Sequence, residues 1–471
     1  MRRNIQKYLI ACAIIMISAI LSCGCGSLLP RSKYTLPEVE MPQTWQGENI
    51  TGAGVAAGDR WWMDFNDPVL SDLVEKALKT NNDLASASIR VRRAQLNAGL
   101  ADTNLTPSVS VDASASGMRN LENHNDSKSG SVTAAASYEL DLWGRLESIR
   151  DVSHWEAEAS ESDRQSIALS LIGTTATDYW QIAYLNERIS SAESSVAYAQ
   201  KTLGLVEVKY NAGAVSGLDI IQARQSLSTR KAELTSLVQQ RTEARNALAI
   251  LFDQAPENIV PERKKLPDGP LPKVSSGLPA NLLGQRPDLR AAEQRLRKYL
   301  ANIDSTKASF YPALTLTGSL GSKSASLADV LQNPYGTLGA GVTLPFIQMN
   351  TMKLSVEISK TEYEEAVVSF RKTLYTAFGD VENALSGRTC YEEENKLLKE
   401  SLTLAKKAED LAEVRYRAGS TELQLWLDAQ ESRRSAEKNL AGNRLNLLKS
   451  VLKLYQAIGG GMSDHGSVSS R

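Results

Sequence analysis

Past its first 25 residues the chain carries a single cysteine, Cys390, so no disulfide can form within the body of the protein. The other three, Cys12, Cys23 and Cys25, crowd the N-terminus. His124, His154 and His465 are scattered and give no metal-ligand spacing. Charge of one sign is missing too: 53 basic residues face 54 acidic ones, for a net charge of −1. No Lys/Arg stripe interleaves with aromatics, which excludes a nucleic-acid surface. No Ser/His/Asp, Cys/His or phosphate-loop pattern accompanies the carboxylates, and an enzyme is not the reading. After the N-terminal apolar stretch no run is long enough to cross a bilayer as a helix. If the mature protein spans a membrane, it does so as a closed β-barrel. Proline is absent between Pro107 and Pro256 and after Pro345.

Those proline-free tracts are rich in Ala, Leu, Glu, Gln, Lys and Arg, which favour long, coiled-coil-like helices. At 471 residues, two domains or one long repetitive architecture is expected. The N-terminus has a basic start (Arg2, Arg3, Lys7) and an apolar stretch over 8–21, the signature of a signal peptide. It ends in Ile20-Leu21-Ser22-Cys23-Gly24-Cys25, which resembles a bacterial lipobox. Cys23 has an aliphatic residue three before it and a small one directly before it. Cys25 has Ser22 in the aliphatic place and is the alternative attachment point.

An internal repeat organises the remainder. Asp288-Leu289 follows Asp83-Leu84 at 288 − 83 = 205, and Pro312 follows Pro107 at 312 − 107 = 205. Val414-Arg415-Tyr416-Arg417-Ala418-Gly419 follows Val208-Lys209-Tyr210-Asn211-Ala212-Gly213 at 419 − 213 = 206. Each repeat contains two alternating segments. One pair includes Val109, Val111, Ala113 and Ala115, then Val132 to Leu142; its counterpart includes Leu314, Leu316 and Leu320, then Leu338 to Phe346. They have about the 9–11 residues that a tilted strand needs to cross a bilayer. The hairpin connections over 118–129 and 322–335 are polar and long. Four strands cannot close a barrel, so either they are soluble hairpins or several copies pool them; three copies would give an even set of twelve. Helices over 145–209 and 350–417 descend by ~95 Å or more, and the returning helices plus the next repeat's first helix climb by roughly the same amount. Turns at Asn211, Gly213 and Gly217 connect the first pair.

Four motifs now stand out: Phe65-Asn66-Asp67-Pro68-Val69-Leu70, Tyr138-Glu139-Leu140-Asp141-Leu142-Trp143-Gly144-Arg145, Gln285-Arg286-Pro287-Asp288-Leu289-Arg290, and Ala377-Phe378-Gly379-Asp380-Val381-Glu382. Together they resemble the TolC-like outer-membrane efflux lipoprotein family, over almost the whole mature chain. The resemblance implies an α+β membrane protein: a trimeric 12-stranded transmembrane β-barrel, four strands per protomer, continued by a long α-helical periplasmic barrel. It implies a homotrimer without catalysis or cofactor, lipid-anchored in the outer membrane. A periplasmic membrane-fusion adaptor would link it to an inner-membrane pump of the resistance-nodulation-division type. The expected layout is a lipoprotein signal peptide over 1–22, an anchored extended segment over 23–66 and a first repeat over 67–279 with its hairpin at 107–142. A second repeat follows over 280–458 with its hairpin at 312–346, then a flexible tail over 459–471.

The resemblance also suggests site residues. Gly213 and Gly419 fall at periplasmic tips where adaptor hairpins dock. Tyr416 would reach across to Asp219 to hold the tip closed, although Ser216-Gly217-Leu218-Asp219 reads equally as a capping box. Asp428 falls where a carboxylate ring faces the narrow pore, or is a plain solvated helix residue. Thr421 stands where the family has a basic gate partner, and 346–350 lacks the family's usual glycine. Glu139 and Asp141 would line the barrel lumen, or simply be wet in a soluble hairpin. Two other readings are a structural periplasmic coiled-coil lipoprotein and the exit duct of a type I secretion system.

Overall fold

A computed structural model describes residues 29–461 apart from 43, 47–57, 59, 120, 123–125, 257–260, 273, 275–281, 326–331 and 346–347. The signal peptide, Cys23, Cys25 and Phe346 lie outside the described residues. The elements run α1 (Pro68–Thr80), α2 (Asn82–Thr103), β1 (Ser108–Arg119), β2 (Asp126–Leu140), α3 (Arg145–Asn211) and α4 (Gly217–Leu251). Then come the short α5 (Leu282–Gln285), α6 (Pro287–Ala308), β3 (Ala313–Ser324), β4 (Pro334–Thr343), α7 (Met349–Arg417) and α8 (Leu423–Ala457). The order α2-β1-β2-α3-α4 recurs as α6-β3-β4-α7-α8, with starts displaced by 287 − 82 = 205, 313 − 108 = 205 and 423 − 217 = 206. No helix of the described residues is long and apolar enough to cross a membrane.

Compactness does not follow the repeats. One unit gathers residues up to Glu38, Arg90–Ser160 and Ala292–Phe370; the other gathers Val39–Ile89, Glu161–Ala291 and residues from Arg371 onward. Each draws on both repeats, because neither copy alone buries its apolar surface.

The first unit holds a four-stranded antiparallel sheet ordered β1-β2-β3-β4. Both hairpins are continuous in it, and β2 pairs β3 between Leu140↔Leu314 and Gly130↔Ser324, joining the two repeats. β1 and β4 are its edges, and both are exposed along their whole length. Val109, Val111, Leu338 and Val342 present apolar side chains there, Leu338 at 93 % exposure. At their hairpin end β1 and β2 pass beyond the expected limits because the ladder continues into polar pairs, Ser114 with Ser131 and Ser116 with Ser129 at 2.9 and 2.8 Å, whereas β2 stops at Leu140 and β4 at Thr343, short of the expected Leu142 and Phe346. The first connection is therefore shorter than expected: β1 reaches Arg119 and β2 begins at Asp126.

In the second unit a 3₁₀ turn, Trp61–Phe65, stacks Trp61 on Tyr455 (4.8 Å) and sets Phe65 edge-on to Trp180 (5.0 Å). Asp67 caps α1 by accepting from Leu70 N–H, and its buried carboxylate also takes Tyr179 Oη at 3.2 Å and Arg263 Nη1 at 2.9 Å. Arg286 joins two of the sequence motifs, binding Asp288 (2.7 Å), Asp380 (3.1 Å) and the Ala457 carbonyl (3.2 Å). The expected tail over 459–471 begins too early. Gly459 and Gly460 are buried with φ of +91° and +61°, and a Cβ on Gly459 would lie 2.4 Å from the Gln285 carbonyl oxygen. Only glycine fits that combination of backbone and contact.

Candidate functional site

The two repeats produce two helical turns built alike. α3 ends in a Schellman turn in which Ala214 N–H donates to Lys209 O (2.8 Å) and Gly213 N–H to Tyr210 O (2.9 Å). α7 ends identically, with Ser420 N–H on Arg415 O (3.0 Å) and Gly419 N–H on Tyr416 O (3.0 Å). Gly213 and Gly419 have φ of +72° and +74°, and nothing lies within 4 Å of either Cβ position. Backbone conformation alone therefore demands glycine, which leaves both tips sterically open.

The surroundings of the turns differ. Tyr210 is 45 % exposed, whereas its repeat counterpart Tyr416 is 2 % exposed. Tyr416 stacks on Trp426 at 5.2 Å, and Tyr198 meets Trp426 edge-on at 6.1 Å. Leu203, Val206, Leu227 and Leu423 complete this plug between the two helical hairpins. Lys209, from the other turn, places Nζ 4.3 Å from the Tyr416 ring centroid and donates to its carbonyl at 2.9 Å. A cation over an aromatic face adds attraction to the packing. Tyr198 Oη donates to Glu413 at 2.6 Å. Burial and that carboxylate both push the Tyr198 phenol up.

The expected bond from Tyr416 to Asp219 is not made. The Tyr416 hydroxyl is buried with no hydrogen-bond partner among the described residues. Burial raises its pKa, and the nearby Asp219 charge raises it further. Asp219 instead accepts from Ser216 N–H (2.9 Å) and Ser216 Oγ (2.7 Å), so its carboxylate serves the start of α4. Asp428 is exposed one turn after Gln424, whose Nε2 donates to it at 2.6 Å. Above the plug, Glu431 takes Arg230 and Arg434, while Glu409 takes Arg433. Burial and the facing Arg230 hold Arg434 below the usual guanidinium range.

Glu139 and Asp141 occupy the joint between β2 and α3. Glu139 forms a forked pair with Arg145, at 2.8 Å to each oxygen. Asp141 lies past the strand and caps α3, accepting from Leu146 N–H (3.0 Å) and Glu147 N–H (2.7 Å). Both charges are thus matched locally, one by a guanidinium and one by a helix N-terminus. Trp143 Nε1 donates to the Pro312 carbonyl at 2.8 Å, and its ring tilts against Tyr311.

Sequence reading passed over Lys209, Trp426 and Tyr198. A usable signal was present, since the 206-residue offset sets Trp426 against Ile220, an enlargement in one repeat only (426 − 220 = 206).

The sequence profile described as outer membrane efflux protein matches residues 73–252 and 278–460. The chain is 33 % identical over 448 residues to a pyoverdine export outer membrane protein, OpmQ, of Pseudomonas putida, covering 92 % of this chain and 95 % of that one. It is 30 % identical to toxin and drug export protein A of Aggregatibacter actinomycetemcomitans, covering 95 % and 97 %. Among solved structures, the open state of the Neisseria gonorrhoeae MtrE outer membrane channel superposes with a TM-score of 0.79 at 31 % identity, covering 92 % and 98 %.

Proposed function

The chain belongs to the outer membrane efflux protein family, and from that membership we propose that three copies pool their sheets into a 12-stranded barrel. It is an outer-membrane channel component of an efflux system. Conduction is passive, and energy comes from an inner-membrane pump of the resistance-nodulation-division type through a periplasmic adaptor. The observation that carries the trimer is the sheet with two long, exposed, unpaired edges bearing Val109, Val111, Leu338 and Val342. A single open sheet cannot lie in lipid without closing those edges.

Cys23, with Cys25 as the alternative, carries the lipid. The open tips at Gly213 and Gly419 receive the adaptor, since neither position is walled by side chains. The closed state at the tip rests on the Tyr416–Trp426–Lys209 plug, with Asp219 acting through its cap and three copies of Asp428 forming a negative ring. Glu139 and Asp141 serve the strand-to-helix joint rather than cation selection, because Glu139 is paired with Arg145 and Asp141 is taken up by the amides that start α3. The relatives' names carry pyoverdine in one case and toxin and drugs in another, so cargo follows the pump.

Extraction of the full chain from outer membranes in mild detergent tests this reading. A trimer that collapses on heating and opens ion-conducting pores in planar bilayers is the expected result. A water-soluble monomer after removal of lipid would return the protein to the structural coiled-coil reading.

A further inference from the structure

Within the sheet-bearing unit, an apolar groove of about 1090 Å³ opens where the strands hand over to the long helices. Trp143, Phe310, Tyr311, Met349, Met352 and Val356 form its body. Met349 is 61 % exposed and Tyr311 39 % exposed, so none of the described residues covers it. Leu29 and Pro30, the first described residues, form part of its wall. The chain is tied down immediately beyond them. Arg31 pairs with Glu147 and, at 3.0 Å, with Asp151, while Ser32 donates to Asp304 from its N–H (2.8 Å) and its Oγ (2.6 Å).

We propose that this groove seats an acyl chain of the protein's own N-terminal lipid. Cys23 precedes Leu29 by 29 − 23 = 6 residues and Cys25 by 29 − 25 = 4. Six residues span at most ~20 Å, so either cysteine keeps its acyl groups within reach of the groove. A tether this short holds the lipid at a high effective concentration, which free phospholipid must outcompete. The strap bonds of Arg31 and Ser32 fix where the tether leaves the surface, and the long apolar walls suit a hydrocarbon chain better than a polar solute. The proposal rests on the lipoprotein reading and adds a defined seat to it. The anchor then also clamps the joint between β2, α3 and α7 instead of only holding the protein to the bilayer.

The test uses the full chain in cells fed a fatty acid that carries a photoreactive diazirine. After irradiation and digestion, the expected product joins the acylated N-terminal peptide to a peptide containing Met349, Met352 and Val356. Its yield should fall by about tenfold in Met352→Glu/Val356→Glu, which removes the seat without removing the tether. Lys33→Glu, on the same strap but outside the groove, should leave it unchanged. Heat-labile trimer in each variant shows that folding is intact. An N-terminal peptide cross-linked only to phospholipid overturns the proposal. So does a Met352 peptide that carries free-phospholipid adducts alone or is joined to a second copy of the chain. A mature N-terminal peptide without acyl mass on either cysteine overturns the lipoprotein reading as well, and the peptide mass itself tells the two failures apart.

Discussion

At the residue scale, Asp178 shows burial outweighing a favourable partner. Desolvation raises its carboxyl from 3.8 to about 6, against the opposing pull of Lys449. The folded protein therefore holds this proton more tightly than the unfolded chain does. Stability from this group is greatest below pH 3.8 and falls as pH rises towards about 6, above which the penalty is complete. Solvent screening of a partly exposed side chain reduces the effect to about 1 kcal/mol. Asp178→Asn should flatten that window, and thermal unfolding of the detergent-solubilised protein across it reads the change; a slope equal to the wild type would refute the assignment. The tip plug gives a second contrast. The Tyr416 hydroxyl has no partner among the described residues, so Tyr416→Phe should leave closure nearly unchanged. Trp426→Ala deletes the ring that both Tyr416 and Tyr198 pack against, at a cost of about 3–5 kcal/mol. Single-channel conductance should rise for Trp426→Ala and stay put for Tyr416→Phe. The opposite order would restore the Tyr416–Asp219 hydrogen bond as the latch.

At the element scale, helix ends are where local chemistry decides most. Asp141 satisfies two otherwise free N–H groups at the start of α3, and Asp141→Ala should cost about 1 kcal/mol. Amide exchange at Leu146 and Glu147 should quicken while the strands β2 and β3 keep their protection. Exchange unchanged at those two amides would mean that Asp141 has another task, such as lining the lumen. Most of the elements were legible from proline-free tracts and the repeat: α3 was expected over 145–209 and spans Arg145–Asn211, and α7 was expected over 350–417 and spans Met349–Arg417. Strand ends were read less well. Alternation continues through Asp141 and Leu142 in the sequence, but the demand of α3 for a cap ends β2 at Leu140. The tip glycines were legible because a positive φ leaves a compositional mark. Lys209 was not, because its partner Tyr416 lies 416 − 209 = 207 residues away and no local pattern pairs them. Asp219 carried two meanings in sequence, gate and cap. The geometry gives it the cap because Ser216 is three residues off, whereas Tyr416 must cross between hairpins.

At the scale of the whole molecule, duplication explains the sheet's incompleteness. Two hairpins fused through the β2–β3 pairing make one continuous ladder, yet they leave β1 and β4 each with a free side. Those edges carry few of the usual protections: β1 contains no lysine or proline and is charged only at Asp112 and Arg119, and β4 has its proline only at the first position. An edge of that kind either aggregates or is paired by design, and a rotational arrangement of copies pairs every β1 with a neighbour's β4 and leaves none over. Cysteine pairs test this directly. With Cys390 replaced by Ser, Ser114→Cys in β1 should be combined in turn with Thr337→Cys, Gly339→Cys and Gly341→Cys in β4, since the register between copies is set only on assembly. One combination in register should oxidise to a covalent ring that migrates as a trimer in denaturing gels without reducing agent. Neighbouring combinations, off by one pleat, should react much less. Cross-linking confined to single chains, or spread evenly over all three combinations, would show that the edges do not meet in a fixed ladder, and a pooled barrel would then have to be abandoned.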